Sequence, residues 1–118
     1  MANATYKILG QGVPTTTTST TLYTVGATSA YSGAVISSVH IANVTASAAT
    51  AYLYVVKGGS TAGTANAVLY NVSVPANSTI AYTNGITLSN TAGTADFLVA
   101  GAGTASALTF TVSGTEII

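Results

Sequence analysis

Five side chains in this sequence of 118 residues carry charge or can take it up near neutral pH: Lys7, Lys57, Asp96, Glu116 and His40. A hydrolytic triad needs a nucleophile, a base and a group that orients the base, and the lone His40 would have to serve without help. A glycosidase needs two facing carboxylates. The two available are Asp96, at the start of a predicted strand, and Glu116, close to the end of the chain. His40, Asp96 and Glu116 also lack the close ligand spacing of a metal site. Gly58-Gly59 and Gly101-Ala102-Gly103 carry no P-loop lysine and open no helix, so they read as turns. No catalytic, cofactor-binding or metal-binding residue is assigned, and the expectation is a non-enzymatic protein without a cofactor.

The scarcity of charge is itself informative. Charged residues make up 3% of the chain, against about 25% in ordinary globular proteins. The formal net charge is zero, so little repulsion keeps copies apart. The surface must then be clothed in Thr, Ser, Asn, Ala and Gly, which suits a component of an assembly. Nucleic acid is not an expected partner, because phosphate binding needs several Lys or Arg. Nor is a membrane expected, since no stretch approaches the roughly 20 apolar residues of a span. The start, MANATYKILGQG, lacks the apolar segment of a secretory signal. Without cysteine there are neither disulfides nor thiolate metal sites.

The elements that would position any site read as short strands. Leu69 to Leu88, LYNVSVPANSTIAYTNGITL, alternates apolar and polar residues through strand, turn, strand, turn and strand. In this meander Val68, Tyr70, Val72 and Val74 share a face, Pro75-Ala76-Asn77-Ser78 forms the first turn, and Asn84-Gly85 is a strong hairpin signal. Upstream, Leu22–Val25 and Ala34–Asn43 are strands, the latter predicted to turn Val35, Ser37, Val39 and Ile41 inward and His40 outward. Thr50–Lys57 is apolar on both faces, with Ala51, Leu53 and Val55 opposite Tyr52, Tyr54 and Val56. That marks a central strand or one covered on its outer face. Gly58–Asn66 and Ser89–Ala95 read as loops, Asp96–Ala100 as a strand, and Leu108–Glu116 as the last strand with Leu108, Phe110 and Val112 inward. TAGTA at 61–65 and 91–95, with GAGTA at 101–105, reads either as a duplicated unit or as convergent small-residue loops. Eight or nine short strands without helical periodicity predict an all-β, two-sheet antiparallel β-sandwich, the jelly roll being one way to connect it.

Two organisational questions stay open at this level. Residues 1–19 hold a candidate strand at 4–10 followed by the low-complexity TTTTSTT, and form either an extended arm to a neighbour or a surface connector into the sandwich domain at 20–118. Tyr52 and Tyr54 either pack in the domain's own core or form an exposed aromatic patch. The candidate interface residues are Tyr6, Lys7, Val13 and Pro14 in the leader, Tyr52 and Tyr54, and the terminal Ile117 and Ile118, two apolar residues that need a cover.

Several segments in order carry a resemblance. They are Lys7-Ile8-Leu9-Gly10-Gln11, Leu22-Tyr23-Thr24-Val25, Ser37-Ser38-Val39 with Ile41-Ala42-Asn43, Val74-Pro75-Ala76-Asn77-Ser78-Thr79, Gly85-Ile86-Thr87-Leu88 and Phe110-Thr111-Val112-Ser113-Gly114-Thr115-Glu116-Ile117. Together they resemble small structural proteins of tailed-phage virions, in particular head decoration (cement) proteins. The loops here depart from that pattern in being poor in charge. The resemblance implies a capsid-surface location, the major capsid protein as partner, and self-association as a homotrimer. A tail, neck or fibre component is the alternative within the virion, and a carbohydrate- or ice-binding module the alternative outside it.

Overall fold

The computed structural model describes residues 4–18, 20–26, 31–91 and 94–117. Among them are ten strands: β1 (Ala4–Gly12), β2 (Thr20–Thr24), β3 (Tyr31–Asn43), β4 (Ala49–Val56), β5 (Ala67–Val74), β6 (Thr79–Tyr82), β7 (Ile86–Thr91), β8 (Thr94–Ala95), β9 (Phe97–Ala102) and β10 (Leu108–Ile117). A short 3₁₀ turn at Thr64–Asn66 precedes β5. One sheet runs β1-β10-β3-β7-β8, with β6 also on β3; the other runs β2-β9-β4-β5. All pairs are antiparallel. The chain crosses from sheet to sheet after β1, β2, β3, β5, β8 and β9, and that order is a jelly roll.

The core lies between the sheets. Ile36, Val39, Ile41, Leu88, Leu108, Phe110 and Val112 from one sheet meet Leu22, Ala51, Leu53, Val74, Leu98 and Ala100 from the other. The alternation in β4 and β10 places these side chains as the sequence pattern predicts.

The predicted meander does not form. β5 pairs with β4, whereas β6 and β7 pair with β3 in the opposite sheet, so Pro75–Ser78 is a crossover between sheets. Nor does Asn84-Gly85 reverse the chain. Tyr82 faces Val39 and Ile86 faces Ile36, so β6 and β7 lie end to end along one partner, with residues 83–85 bridging the break. β3, 13 residues long, offers an edge that accepts both, and these long-range pairings outweigh the local hairpin preference.

Two strands change faces part-way. In β3, Ala34 and Ile36 are buried, as are Val39 and Ile41, while Val35 and Ser37 are exposed. The reason is an irregularity opposite β10: Ser113 pairs with Ser38 but Gly114 with Ile36, leaving Ser37 as an inserted residue. Val35 and Ser37 therefore point outward, against the predicted inward set. β5 behaves alike. Asn71 has φ 57° and the register against β4 shifts, so Val68 and Tyr70 are exposed while Val72 is partly and Val74 fully buried.

The leader is woven into the sandwich. β1 pairs with β10 along its whole length, with a shift at Leu9. Beyond it, the Pro14 carbonyl accepts from the Ser106 N–H and the Thr16 carbonyl from the Ala102 N–H. Described residues 13–18 are thus a connector held against the β9–β10 turn. Two glycines permit these close passages: a Cβ on Gly10 would overlap the Leu22 carbonyl oxygen, and one on Gly101 the Thr17 carbonyl oxygen. Of the two TAGTA segments, 61–65 leads into the 3₁₀ turn and 91–95 contains β8, so they occupy different structures.

Candidate functional site

The topology sorts the surface into two unlike ends. At the end where β1 begins and β10 finishes sit all four charged side chains, Lys7, Lys57, Asp96 and Glu116. Lys7 Nζ lies 2.7 Å from Glu116 Oε1, and the Tyr23 hydroxyl donates to Glu116 Oε2 at 2.7 Å. Hydrogen bonds from Lys7 and then Tyr23 hold the Glu116 carboxyl below its usual range. Burial, followed by the adjacent Glu116, pushes the Tyr23 phenol well above its ordinary value. Burial alone would raise Asp96. The Gly58 N–H at 2.9 Å, with the Ser89 N–H at 3.1 Å and its hydroxyl at 3.2 Å, more than offset that and lower it. Each carboxylate therefore braces one sheet to the other, Glu116 through Tyr23 and Asp96 through Gly58 and Ser89. His40 stands apart, exposed on the outer face of the first sheet. Among the described residues, no three of His, Asp and Glu gather where they could hold a metal ion.

The opposite end is formed by residues 13–18, 44–48, 75–78 and 103–107, and contains no charged residue. Backbone bonds lock these loops together: Asn77 N–H to the Thr45 carbonyl, Asn43 N–H to Ser78, Val44 N–H to Ala107, and Ser106 N–H to Pro14. Asn43, buried at the tip of β3, is the hub. Its Nδ2 donates to the carbonyls of Ser47 at 2.9 Å and Val74 at 3.0 Å. Its Oδ1 accepts from the Thr45 N–H at 2.9 Å and hydroxyl at 2.7 Å. Asn77 (φ 54°) and Ser106 (φ 60°) take left-handed conformations that tighten two of the turns. Val44, 63% exposed, and Val13, 45% exposed, stand out of this ordered rim.

The predicted interface residues fall in different places. Tyr54 is 2% exposed, packed with Val56 and Val99 on the outer face of its sheet beneath Tyr52, Ala62, Ala67 and Phe97. Its ring stacks on Tyr52 at 6.5 Å, and Tyr70 meets Tyr52 edge-on at 5.1 Å. Segment 61–66, braced by Asn66 Oδ1 on the Gly63 N–H and Asn66 Nδ2 on the Thr61 carbonyl, supplies Ala62 to this cover. The pair thus packs within its own chain, and the exposed ring here is Tyr70, at 57%. The β5 irregularity turned Tyr70 outward, so period-two reasoning missed it. Pro14 is buried in the connector, while Val13 is exposed. Ile117 is paired on both sides, with Ala4 and Gly33; Ile118 lies outside the described residues. Tyr6 and Lys7 lie on β1 at the charged end, so the structure does not bring them together with Val13 and Pro14. The sequence pattern marks Asn43 only as the end of a strand; the signal for its hub role is an Asn-x-Thr step directly after an alternating run.

No family model matches the chain, and no curated protein matches it. Among solved structures, the chain is similar to one described as the structure of infectious bursal disease virus Gx strain, at 10% identity and a TM-score of 0.49. The match covers 99% of this chain and 31% of that one, so this chain spans less than a third of the chain it matches.

Proposed function

We propose that the protein is a virion structural protein, a capsid decoration protein that seats its charge-free loop end on the major capsid protein and ties adjoining shell subunits together. The observation that carries this reading is the rim around Asn43, where the loops are bonded to one another and carry no charge. Docking through such a rim desolvates no ion and orders little that is not already ordered. Weak contacts of this kind, repeated by the symmetry of a shell, add up through avidity. The jelly roll alone does not choose, since capsid, lectin and cupin domains share it; the ordered sequence resemblance to phage decoration proteins favours the virion.

The test is co-sedimentation of the purified chain with undecorated shells. Saturable binding that persists at high salt and falls at least tenfold in Val44→Asp supports the proposal. Absence of binding, or binding that salt abolishes, overturns it.

One observation favours a second reading, an ice-binding module. Thr109, Thr111, Ser113 and Thr115 alternate with buried Leu108, Phe110, Val112 and Gly114, and so form a hydroxyl row on the outer face of the first sheet. Partition of the chain into a growing ice front would favour this reading over the capsid one.

A further inference from the structure

A sheet edge is a template for another strand, and among the described residues most edges of this fold are blunted. Beyond β3, the edge is the short β6 and β7, interrupted at residues 83–85, with the two-residue β8 on the end of β7. β2 is short and its register shifts between Thr21 and Tyr23. β5 carries two shifts and a left-handed Asn71. On β1 the second half is interrupted by Gly10 and Gly12 and pressed against β2, Gly10 on the Leu22 backbone and Gly12 on Thr20 and Leu22. The first half is not. Ala4–Ile8 pairs with β10 in unbroken register up to the shift at Leu9, and all five residues are exposed, Tyr6 at 78% and Ile8 at 62%.

Devices that ordinarily protect such an edge are weak here. The segment has neither Pro nor Gly, and its one charge, Lys7, is neutralised by Glu116 of the same chain. On the outer face, the Tyr6 hydroxyl lies within reach of the Ser37 and Thr115 side chains, and Ile8 and Val35 are exposed as well.

We propose that Ala4–Ile8 is a self-association surface, pairing antiparallel with the same segment of a second copy to join two six-stranded sheets across a two-fold axis. The occupant is a second copy because the arrangement is self-complementary. With Tyr6 opposite Tyr6 of the other copy, Ile8 faces Ala4 and Lys7 faces Thr5, so no like charges oppose. Each copy fills the other's unpaired backbone groups, and zero net charge opposes neither. Five residues span only about 17 Å, which buries less than the roughly 800 Å² per partner of a standard interface. The dimer is accordingly a micromolar one, and the symmetry of the contact is two-fold, so a trimer does not arise from it.

The chain's lack of cysteine makes the test direct. Antiparallel partners lie about 4.5–5.5 Å apart at Cα, within the range a disulfide spans. Under mild oxidation Tyr6→Cys should form a covalent dimer at least tenfold faster than Val44→Cys, which is exposed at the other end. Native mass measurement should give twice the chain mass for the unaltered protein at about 100 µM, and the monomer mass for Tyr6→Glu with its circular dichroism unchanged. A monomer at that concentration overturns the proposal. So does an oligomer in which Tyr6→Cys cross-links no faster than Val44→Cys. Shell binding is read separately, so a monomer that still co-sediments sinks this inference and leaves the capsid reading standing.

Discussion

Replacing Asn43 by Ala tests whether the loop end is held by one buried amide. The change deletes both donors, to Ser47 and Val74, and both acceptor contacts with Thr45. The effects are unequal. Ser47 is exposed and Thr45 half-buried, so their groups recover water, whereas Val74 is fully buried and its carbonyl loses a partner in the interior. An orphaned buried acceptor costs about 1–3 kcal/mol, and the truncated side chain adds about 1 kcal/mol for lost packing. The expected loss is about 2–4 kcal/mol, which at about 4 °C per kcal/mol for a domain of this size lowers Tm by about 8–16 °C. Urea unfolding of Asn43→Ala and Thr45→Ala, side by side, makes the assay specific. Thr45→Ala removes only the hydroxyl bonds at the rim and should cost no more than about 1 kcal/mol. Asn43→Asp keeps the acceptors but sets a carboxylate against the Val74 carbonyl, and should be at least as damaging as Ala. A loss below about 1 kcal/mol in Asn43→Ala would refute the hub role.

The other expectations concern the turns and the charged end. Gly85→Ala should be neutral within about 0.5 kcal/mol, because Gly85 is neither crowded nor in a left-handed conformation; a true Asn-Gly hairpin would lose more. Gly10→Ala drives a Cβ into the Leu22 backbone and should cost about 3 kcal/mol or prevent folding, read by the same urea assay. Folding depresses the carboxyls of Asp96 and Glu116, so their contribution is present above about pH 4.5 and is lost as the pH falls through their folded values. Acid titration of the urea midpoint should show that fall, shallower in Glu116→Gln. Tyr23 is shifted the other way: its contribution is complete below about pH 10 and lost above it as the unfolded phenol ionises. Tyr23→Phe should abolish that alkaline loss and cost about 1–2 kcal/mol at neutral pH through the missing bond to Glu116.

Where the two-residue period runs unbroken, as in Tyr52–Val56 and Leu108–Val112, sequence pattern alone assigns the faces correctly. It fails at Ser37 and Asn71 because an inserted residue reverses every face beyond it. The clues were there, a Ser-Ser pair between two apolar alternations and an Asn able to adopt positive φ, but neither specifies a bulge without its partner strand. Asn84-Gly85 misled for a related reason. Its hairpin preference is local, while the length of β3 that overrides it is set elsewhere in the chain. The candidate site was hidden more deeply. Asn43 and Val74 are 31 residues apart, and the segregation of four charges to one end and none to the other exists only once the jelly roll has ordered its loops. Near-neutrality could be counted from composition; the charge-free rim could not.

The most direct measurement is electron cryomicroscopy of shells decorated with the purified chain. The proposed function predicts a jelly roll standing on the shell through the loops at residues 44–48, 75–78 and 103–107. Val44 should lie against capsid protein, with the Lys7–Glu116 pair at the end facing solvent. A chain bound through its charged end, or shells that remain bare at saturating protein, would contradict it.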